Sequence, residues 1–230
     1  MDKIIEMGHA KFDGIYNSTK SKTYPGRGWK KLQGKITVLW ATSHGLFDHT
    51  VTKFLTFDLY AKVIFEYINS KKDIGLIFRP HPELISELVR NGFWSQNDVK
   101  RFKKYCMESK NIVFDDTDTY DESLSIADGI LTDAFCGIAY SALPTLIPIC
   151  MAYRSENDMP HHKNLSDCLY SAYKESDILD FFEMIRHGKD PGLELRKEFL
   201  RKNVKQFDGR NGFRIKEFIK DRFFGKCMNG

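Results

Sequence analysis

The chain alternates between short, largely apolar runs and longer stretches in which apolar residues recur every three or four positions. Runs of the first kind occupy residues 35–41, 74–78, 111–114, 129–133 and 146–151. Apolar runs of this length, without polar alternation, predict strands buried on both faces of a parallel sheet. The second kind is clearest at 54–69, where Phe57, Tyr60, Ala61, Ile64, Phe65 and Ile68 fall at helical spacing. Helices are also predicted over 82–91 and 96–107. Thr119 with Glu122 three residues on has the capping-box pattern and predicts a helix to about Ala127. A short helix follows Asp133. Strands separated by helix-length crossovers imply an α/β fold with a doubly wound, Rossmann-like parallel sheet.

The carboxyl third is patterned for helices. One is predicted over 177–187, closed by Gly188 at the glycine position that ends helices. Asp190 before Pro191 has the form of an N-cap followed by proline at the first helical position, opening a helix to about Val204. A last amphipathic helix is predicted over 211–224, with Phe213, Ile215, Phe218, Ile219 and Phe223 as its apolar set. Residues 17–28 read as a loop. The expectation is one nucleotide-binding domain over 1–230: a lead-in segment 1–34, an α/β core 35–152, and a loop with a helical tail 153–230.

Composition narrows the class. A chain of 230 residues, 42% hydrophobic and 29% charged, can bury one substantial core or two small ones. Its net charge of +4, from 35 basic and 31 acidic residues, does not argue for nucleic acid. The aromatic residues fall mostly at core spacing, and no aromatic–basic stripe is present. No run approaches the roughly 20 apolar residues needed to span a bilayer, and the first residues lack a signal-peptide pattern. Cys106, Cys136, Cys150, Cys168 and Cys227 are widely spaced with no CxxC pair. They predict a reducing, cytoplasmic setting, with Cys136 and Cys150 as small buried hydrophobes.

The candidate chemistry centres on Arg79-Pro80-His81-Pro82. The prolines cannot continue a sheet ladder, so the preceding strand is expected to stop at Phe78. Arg79 and His81 then lie at the carboxyl end of a strand, the edge where open α/β sheets bind ligands. A fixed cation and an imidazole two residues apart suit a phosphorylated substrate; a polar, solvated strand end is the plainer alternative. His44 follows the first strand, as a cleft residue or an ordinary loop histidine. With His49 it has no third ligand at metal spacing, so no metal site is expected. Asp115, Asp116, Asp118 and Asp121 lack the glycine and distal glutamate of a calcium loop and read as a solvated, helix-capping segment. His161 and His162 sit in a polar loop, either over a nucleotide or in solvent. Asp133 ends a buried strand, as a helix cap or as a cleft carboxylate.

Several motifs together resemble the CDP-glycerol glycerophosphotransferase family. Gly8-His9-Ala10-Lys11-Phe12-Asp13 is similar to its Gly-x-Pro/Ala-Lys/Arg-Phe-Asp segment. The strand ending in Trp40-Ala41-Thr42-Ser43-His44 resembles the first strand of its nucleotide-binding half. Arg79-Pro80-His81-Pro82 matches its Arg-x-His-Pro motif, and Ala127-Asp128-Gly129-Ile130-Leu131-Thr132-Asp133 its Ala-Asp-x-x-Ile-Ser/Thr-Asp motif. The stretches from Ile185 to Pro191 and from Asp208 to Gly212 resemble its carboxyl tail.

The resemblance implies the carboxyl-terminal, donor-binding half of a GT-B fold, with an amino-terminal acceptor domain as its missing partner. It implies a sequence that is part of a larger polypeptide. The implied activity is transfer of glycerol phosphate, or another polyol phosphate, from a CDP-linked donor to a polymer or lipid-linked acceptor in teichoic acid or capsule synthesis. No cofactor is implied, and substitution at phosphorus is expected to be metal-independent. Peripheral contact with the inner face of the membrane is the further expectation. His81 would serve the leaving phosphate, Arg79 would neutralise it, and a base would come from the other half or from His44. Asp133 and the helix opening at Ala134 would face the donor diphosphate. Phe135 and Cys136 stand where the family usually has two serines, which leaves backbone N–H groups near Gly137 to hold phosphate. That departure keeps two alternatives open: a UDP-sugar glycosyltransferase or epimerase-like domain, and a non-catalytic binding domain.

Overall fold

The computed structural model describes residues 5–20, 22, 24, 26, 28–44, 55–157, 163–204 and 206–224. Helix α1 (Lys11–Ser18) precedes strand β1 (Ile36–Thr42) and helix α2 (Phe57–Ser70). Strand β2 (Ile74–Pro80) runs into α3 (Pro82–Arg90), then α4 (Gln96–Glu108) and β3 (Ile112–Phe114). Helix α5 (Asp121–Ile126) leads to β4 (Gly129–Thr132). Three short helical pieces follow, Phe135–Ala139, α6 (Tyr140–Ala142) and Leu143–Thr145, before β5 (Ile149–Ala152). Helix α7 (Lys163–Ser166), strand β6 (Tyr170–Ala172) and helices α8 (Glu175–Arg186), α9 (Leu193–Asn203) and α10 (Asn211–Ile219) complete the order.

All six strands are parallel, in the order β3-β2-β1-β4-β5-β6. This is the doubly wound, Rossmann-like arrangement, with its switch point between β1 and β4. Alternate residues of each strand enter opposite cores. Val38, Trp40 and Phe78 pack with residues of α2, α3 and α8. Leu39, Ile77 and Ile130 pack with Phe12 and Ile15 of α1 and Leu124 of α5. Gly129 lets α8 approach β4: a Cβ there would lie 2.2 Å from Ile185 Cδ1. Gly188, at φ 63°, ends α8 as expected, donating its N–H to Ile185 O while Lys189 N–H reaches Met184 O.

Four local expectations are corrected. First, β2 does not stop at Phe78 but continues through Pro80, paired with Thr42. The ladder tolerates the proline because the N–H groups of successive residues point to opposite neighbours. His81 N–H, two residues past Arg79, donates to Thr42 O of β1, and Phe78 O accepts from Asp115 N–H on the β3 side. Pro80 therefore faces the β3 side, beyond that strand's last residue, where no partner is left to bond. Second, Thr119 does not cap α5. Its hydroxyl meets the Glu122 carboxylate at 3.2 Å, and Tyr120 occupies the cap position. Third, Asp190 is not an N-cap; α9 opens two residues later, after Gly192. Fourth, the segment read as loop and tail holds a sixth strand. Only three residues long, with Ser171 exposed, this edge strand has no continuous apolar run to reveal it.

The two chain-end motifs meet. Asp13 of α1 accepts hydrogen bonds from Asn211 N at 2.9 Å and Gly212 N at 2.7 Å, capping α10. Gly8, at φ 79°, leaves room for the Asn211 side chain, whose Oδ1 would lie 1.9 Å from a Cβ. Helix α10 itself does not bury its apolar set: Phe213 is 53% and Ile219 44% exposed.

Asp190 instead pairs with Arg196, whose side chain is fully buried. The same guanidinium reaches Leu146 O at 3.2 Å, which a left-handed turn at Leu146, φ 64°, presents to it. Removing one partner of such a pair leaves the other charge uncompensated. Asp190→Asn is expected to lower unfolding stability by about 3 kcal/mol, read by urea denaturation. A loss under about 1 kcal/mol would place this pair with weakly contributing surface bridges.

Candidate functional site

The carboxyl ends of β1, β2 and β3 and the segment after β4 enclose a cavity of about 480 Å³. Its walls include Thr42, Arg79, His81, Tyr120, Ala134 and Gly137. The Thr42 hydroxyl in that wall is buried and has no hydrogen-bond partner among the described residues. A second depression of similar size lies at the amino ends of the strands, lined by Lys35, Lys71, Lys72 and Lys110; it contains none of the candidate site residues.

Arg79 is held rigidly. Its guanidinium bonds Asp115 Oδ2 at 2.6 Å, Thr117 Oγ1 at 3.0 Å and Thr117 O at 2.8 Å. Asp115, read from sequence as part of a solvated acidic segment, is instead fully buried. It also receives the hydroxyl of Ser123 and the N–H of Thr117. Asp116 and Asp118 do remain exposed. Tyr120 forms the adjoining wall, with Lys11 Nζ 4.9 Å and Arg79 Cζ 5.9 Å from its ring centre. Lys11, Asp115 and Tyr120 were not singled out by the sequence as site residues. A buried acid serving a strand-end arginine could have been sought in the residue following β3, since β2 and β3 are neighbours.

His81 is the N-cap of α3: its Nδ1 accepts the Glu83 N–H at 3.2 Å. That contact leaves Nε2 as the protonated nitrogen of the neutral ring. Burial, and then the neighbouring His44, lower the His81 pKa below the ordinary imidazole range, against Glu83 and Glu87. The rings of His44 and His81 lie 4.0 Å apart. His44 thus joins His81, while its Nδ1 lies 3.5 Å from Glu83 Oε2 and 3.4 Å from Glu87 Oε1.

Asp133 stands apart from the cavity wall. It is buried, with Oδ1 accepting from Ser43 N at 2.5 Å and Oδ2 from Thr56 N at 2.6 Å and Thr56 Oγ1 at 3.0 Å. The carboxylate ties together the two ends of the connection between β1 and α2. Burial raises its pKa, and the hydrogen bonds from Ser43 and Thr56 oppose that rise. Asp128 at the other end of β4 acts similarly, accepting the Thr37 N–H at 2.8 Å. Both aspartates of the Ala127–Asp133 motif are therefore fasteners of β1.

After Asp133 the chain does not open a long helix. It forms the short pieces already described, and Ala134 N–H is taken by Thr132 Oγ1 at 2.9 Å. Ala134 and Gly137 line the cavity. The side chains of Phe135 and Cys136, and all of His49, His161 and His162, lie outside the described residues. Cys150 is buried as expected, which pushes its thiol pKa up.

Arg79→Met is expected to cost about 3 kcal/mol of stability, because Asp115 would keep its hydrogen bonds from Thr117 and Ser123 but lose its counter-charge. The double substitution Arg79→Met/Asp115→Asn should recover most of that loss in thermal and urea unfolding. No recovery would mean that Arg79 stabilises the edge through packing rather than through Asp115.

Neither family descriptions nor curated proteins match this chain. Solved structures do. A variant of the wall teichoic acid polymerase TagF soaked with CDPG aligns with a TM-score of 0.62 at 14% identity, over 99% of this chain and 54% of that one. The S. aureus MnaA–UDP structure aligns with a TM-score of 0.58 at 16% identity, over 96% and 55%. A UDP-N-acetylglucosamine 2-epimerase aligns with a TM-score of 0.58 at 13% identity, over 96% and 52%. At these identities the likeness is one of fold. The chain spans about half the length of the structures it matches, and what they share with it is a Rossmann-like parallel α/β fold.

Proposed function

We propose that the cavity binds the diphosphate of a nucleotide-linked donor, and that the chain is the donor-binding half of a transferase acting on a CDP-linked polyol phosphate. The observation that carries this reading is the placement of Arg79 and His81 on one cavity wall, at the carboxyl edge of the sheet. Arg79 supplies a planar guanidinium cation, in a geometry already set by Asp115 and Thr117. His81 supplies an Nε2–H donor on a helix start. The motifs Arg79-Pro80-His81-Pro82 and Ala127–Asp133 point to the same donor class, and the TagF likeness agrees with it.

In the proposed reaction an acceptor hydroxyl oxygen bonds to the phosphorus of the polyol phosphate. The bond from that phosphorus to the bridging oxygen breaks, and the bridging oxygen leaves with CMP. Arg79 neutralises the charge developing on the leaving phosphate, and His81 Nε2 donates a hydrogen bond or a proton to it. The acceptor's proton passes to a base on the other half of the enzyme or to His44. Positioning and electrostatic complementarity are the main sources of rate in such a transfer. The Ala134–Gly137 segment contributes as a close-approach wall rather than as a helix start. The acceptor would be a growing polymer or its lipid-linked primer. No helix among the described residues is long and apolar enough to cross a membrane; the proposal places any membrane contact at the periphery, through the acceptor.

A second reading, a UDP-sugar enzyme, is favoured by the MnaA–UDP and epimerase likenesses. Calorimetric titration with CDP-glycerol, CDP-ribitol, UDP-N-acetylglucosamine and CMP separates the two. The expected result is selective cytidine binding without polymer formation, since one wall of the cleft is supplied elsewhere. Preference for uridine would transfer the site to the second reading, and no nucleotide binding would leave a non-catalytic domain. Robust polymer synthesis by residues 1–230 alone would overturn the half-enzyme proposal. The stability-matched Arg79→Met/Asp115→Asn protein is expected to bind CMP at least about tenfold more weakly than wild type, with its melting temperature as the folding control.

A further inference from the structure

We infer that His44, His81 and Glu83 form a site for one divalent transition-metal ion of zinc-like preference, with Glu87 at its edge. One nitrogen from each histidine and one Glu83 oxygen all lie within 4.8 Å of one another. His44 Nδ1 is 3.5 Å from Glu83 Oε2 and 3.4 Å from Glu87 Oε1. The Glu87 contact is a long hydrogen bond and the Glu83 contact lies at ion-pair distance, both beyond the roughly 2.7–3.2 Å of a good N–H···O bond. They match the distance of about 3.4 Å between ligands of a tetrahedral ion bound at roughly 2.0–2.2 Å. Glu83 belongs to the mutually close set of three, while Glu87, one helical turn on, approaches only the His44 ring.

The mounting is suited to a metal as well. His81 is the N-cap of α3, Glu83 lies in its first turn and Glu87 in the next, so three of the four groups share one rigid element. His44 arrives from the end of β1, and its ring lies 4.0 Å from that of His81. The His44 side chain is 42% and the Glu83 side chain 61% exposed, so an ion can enter from solvent and retain an open coordination position. A mixed imidazole and carboxylate set favours zinc and its transition-metal neighbours over magnesium or calcium, which prefer all-oxygen shells.

Metal binding changes the chemistry of His81. The ring now accepts the Glu83 N–H at Nδ1. Ligation through Nε2 places the ring proton on Nδ1, so the cap contact must release. The same ligation removes the Nε2–H offered to a leaving phosphate. With Nε2 as the ligand, metal and proton donor are mutually exclusive states of one imidazole. The metal site does not depend on the proposed function, but this effect on donor binding rests on it.

The test is titration of zinc chloride, and separately magnesium chloride, into chelator-treated protein by calorimetry. His44→Ala, Glu83→Gln and a control, His187→Ala, are compared with wild type. The expected outcome is one zinc site per chain, weakened about tenfold or more in His44→Ala and Glu83→Gln and unchanged in His187→Ala. Zinc should shift the ring resonances of His44 and His81 and the amide of Glu83 in NMR spectra, and magnesium should not. Wild-type zinc isotherms in both His44→Ala and Glu83→Gln, or unmoved His44 and His81 resonances, would overturn the site. An equal response to magnesium would overturn the metal assignment. Nucleotide titrations in chelator report the donor reading separately, so either proposal can fail while the other stands.

Discussion

Everything in this fold follows from burying both faces of an all-parallel sheet. Parallel strands require crossovers, and the crossovers cover the sheet with helices on each side. Trp40 and Phe78 fill one core, Leu39 and Ile77 the other. With both faces closed and all strands running one way, the two ends of the sheet are its open edges. At the carboxyl edge, strand ends from β1, β2 and β3 deliver side chains to one cavity. The candidate chemistry is thus a consequence of the way the core is closed.

That edge is shaped by buried carboxylates that each satisfy several donors. Asp115 anchors Arg79, Ser123 and Thr117, and Asp133 joins Ser43 to Thr56 across the connection after β1. A buried carboxylate is costly unless its oxygens are occupied, and here they are. The division of labour is informative. Arg79 has one side committed to the scaffold and belongs to the cavity wall on the other, whereas Asp133 is committed to the scaffold. Of two strand-end residues with equal claims to function in the sequence, only Arg79 lines the cavity.

The chain-end motifs teach a related lesson. The segment from Gly8 to Asp13 and the segment from Asp208 to Gly212 are joined by Asp13, which caps α10. Their part in this structure is to close the domain, and α1 then brings Lys11 to Tyr120 at the cavity rim. Short motifs of this kind need not all line the cavity; some secure the elements that do.

The sequence by itself determined the elements whose signals are local. Largely apolar runs marked β1 to β5, helical periodicity marked α2 and α8, and Gly188 marked the end of α8, because burial and backbone freedom act on neighbouring residues. The alternation of those elements determined the fold class. Tertiary structure alone decided what depends on neighbours distant in the chain. Proline in β2 was tolerated because β3 had already ended beside it. Asp190 served buried Arg196 rather than a helix start. The three-residue β6, half exposed, exists only through pairing with β5. His44, which has no metal-spaced partner along the chain, gained His81, Glu83 and Glu87 because β1 and β2 are adjacent and parallel. Local propensity names the strands; only their packing brings residues nearly forty positions apart to within a ligand's reach.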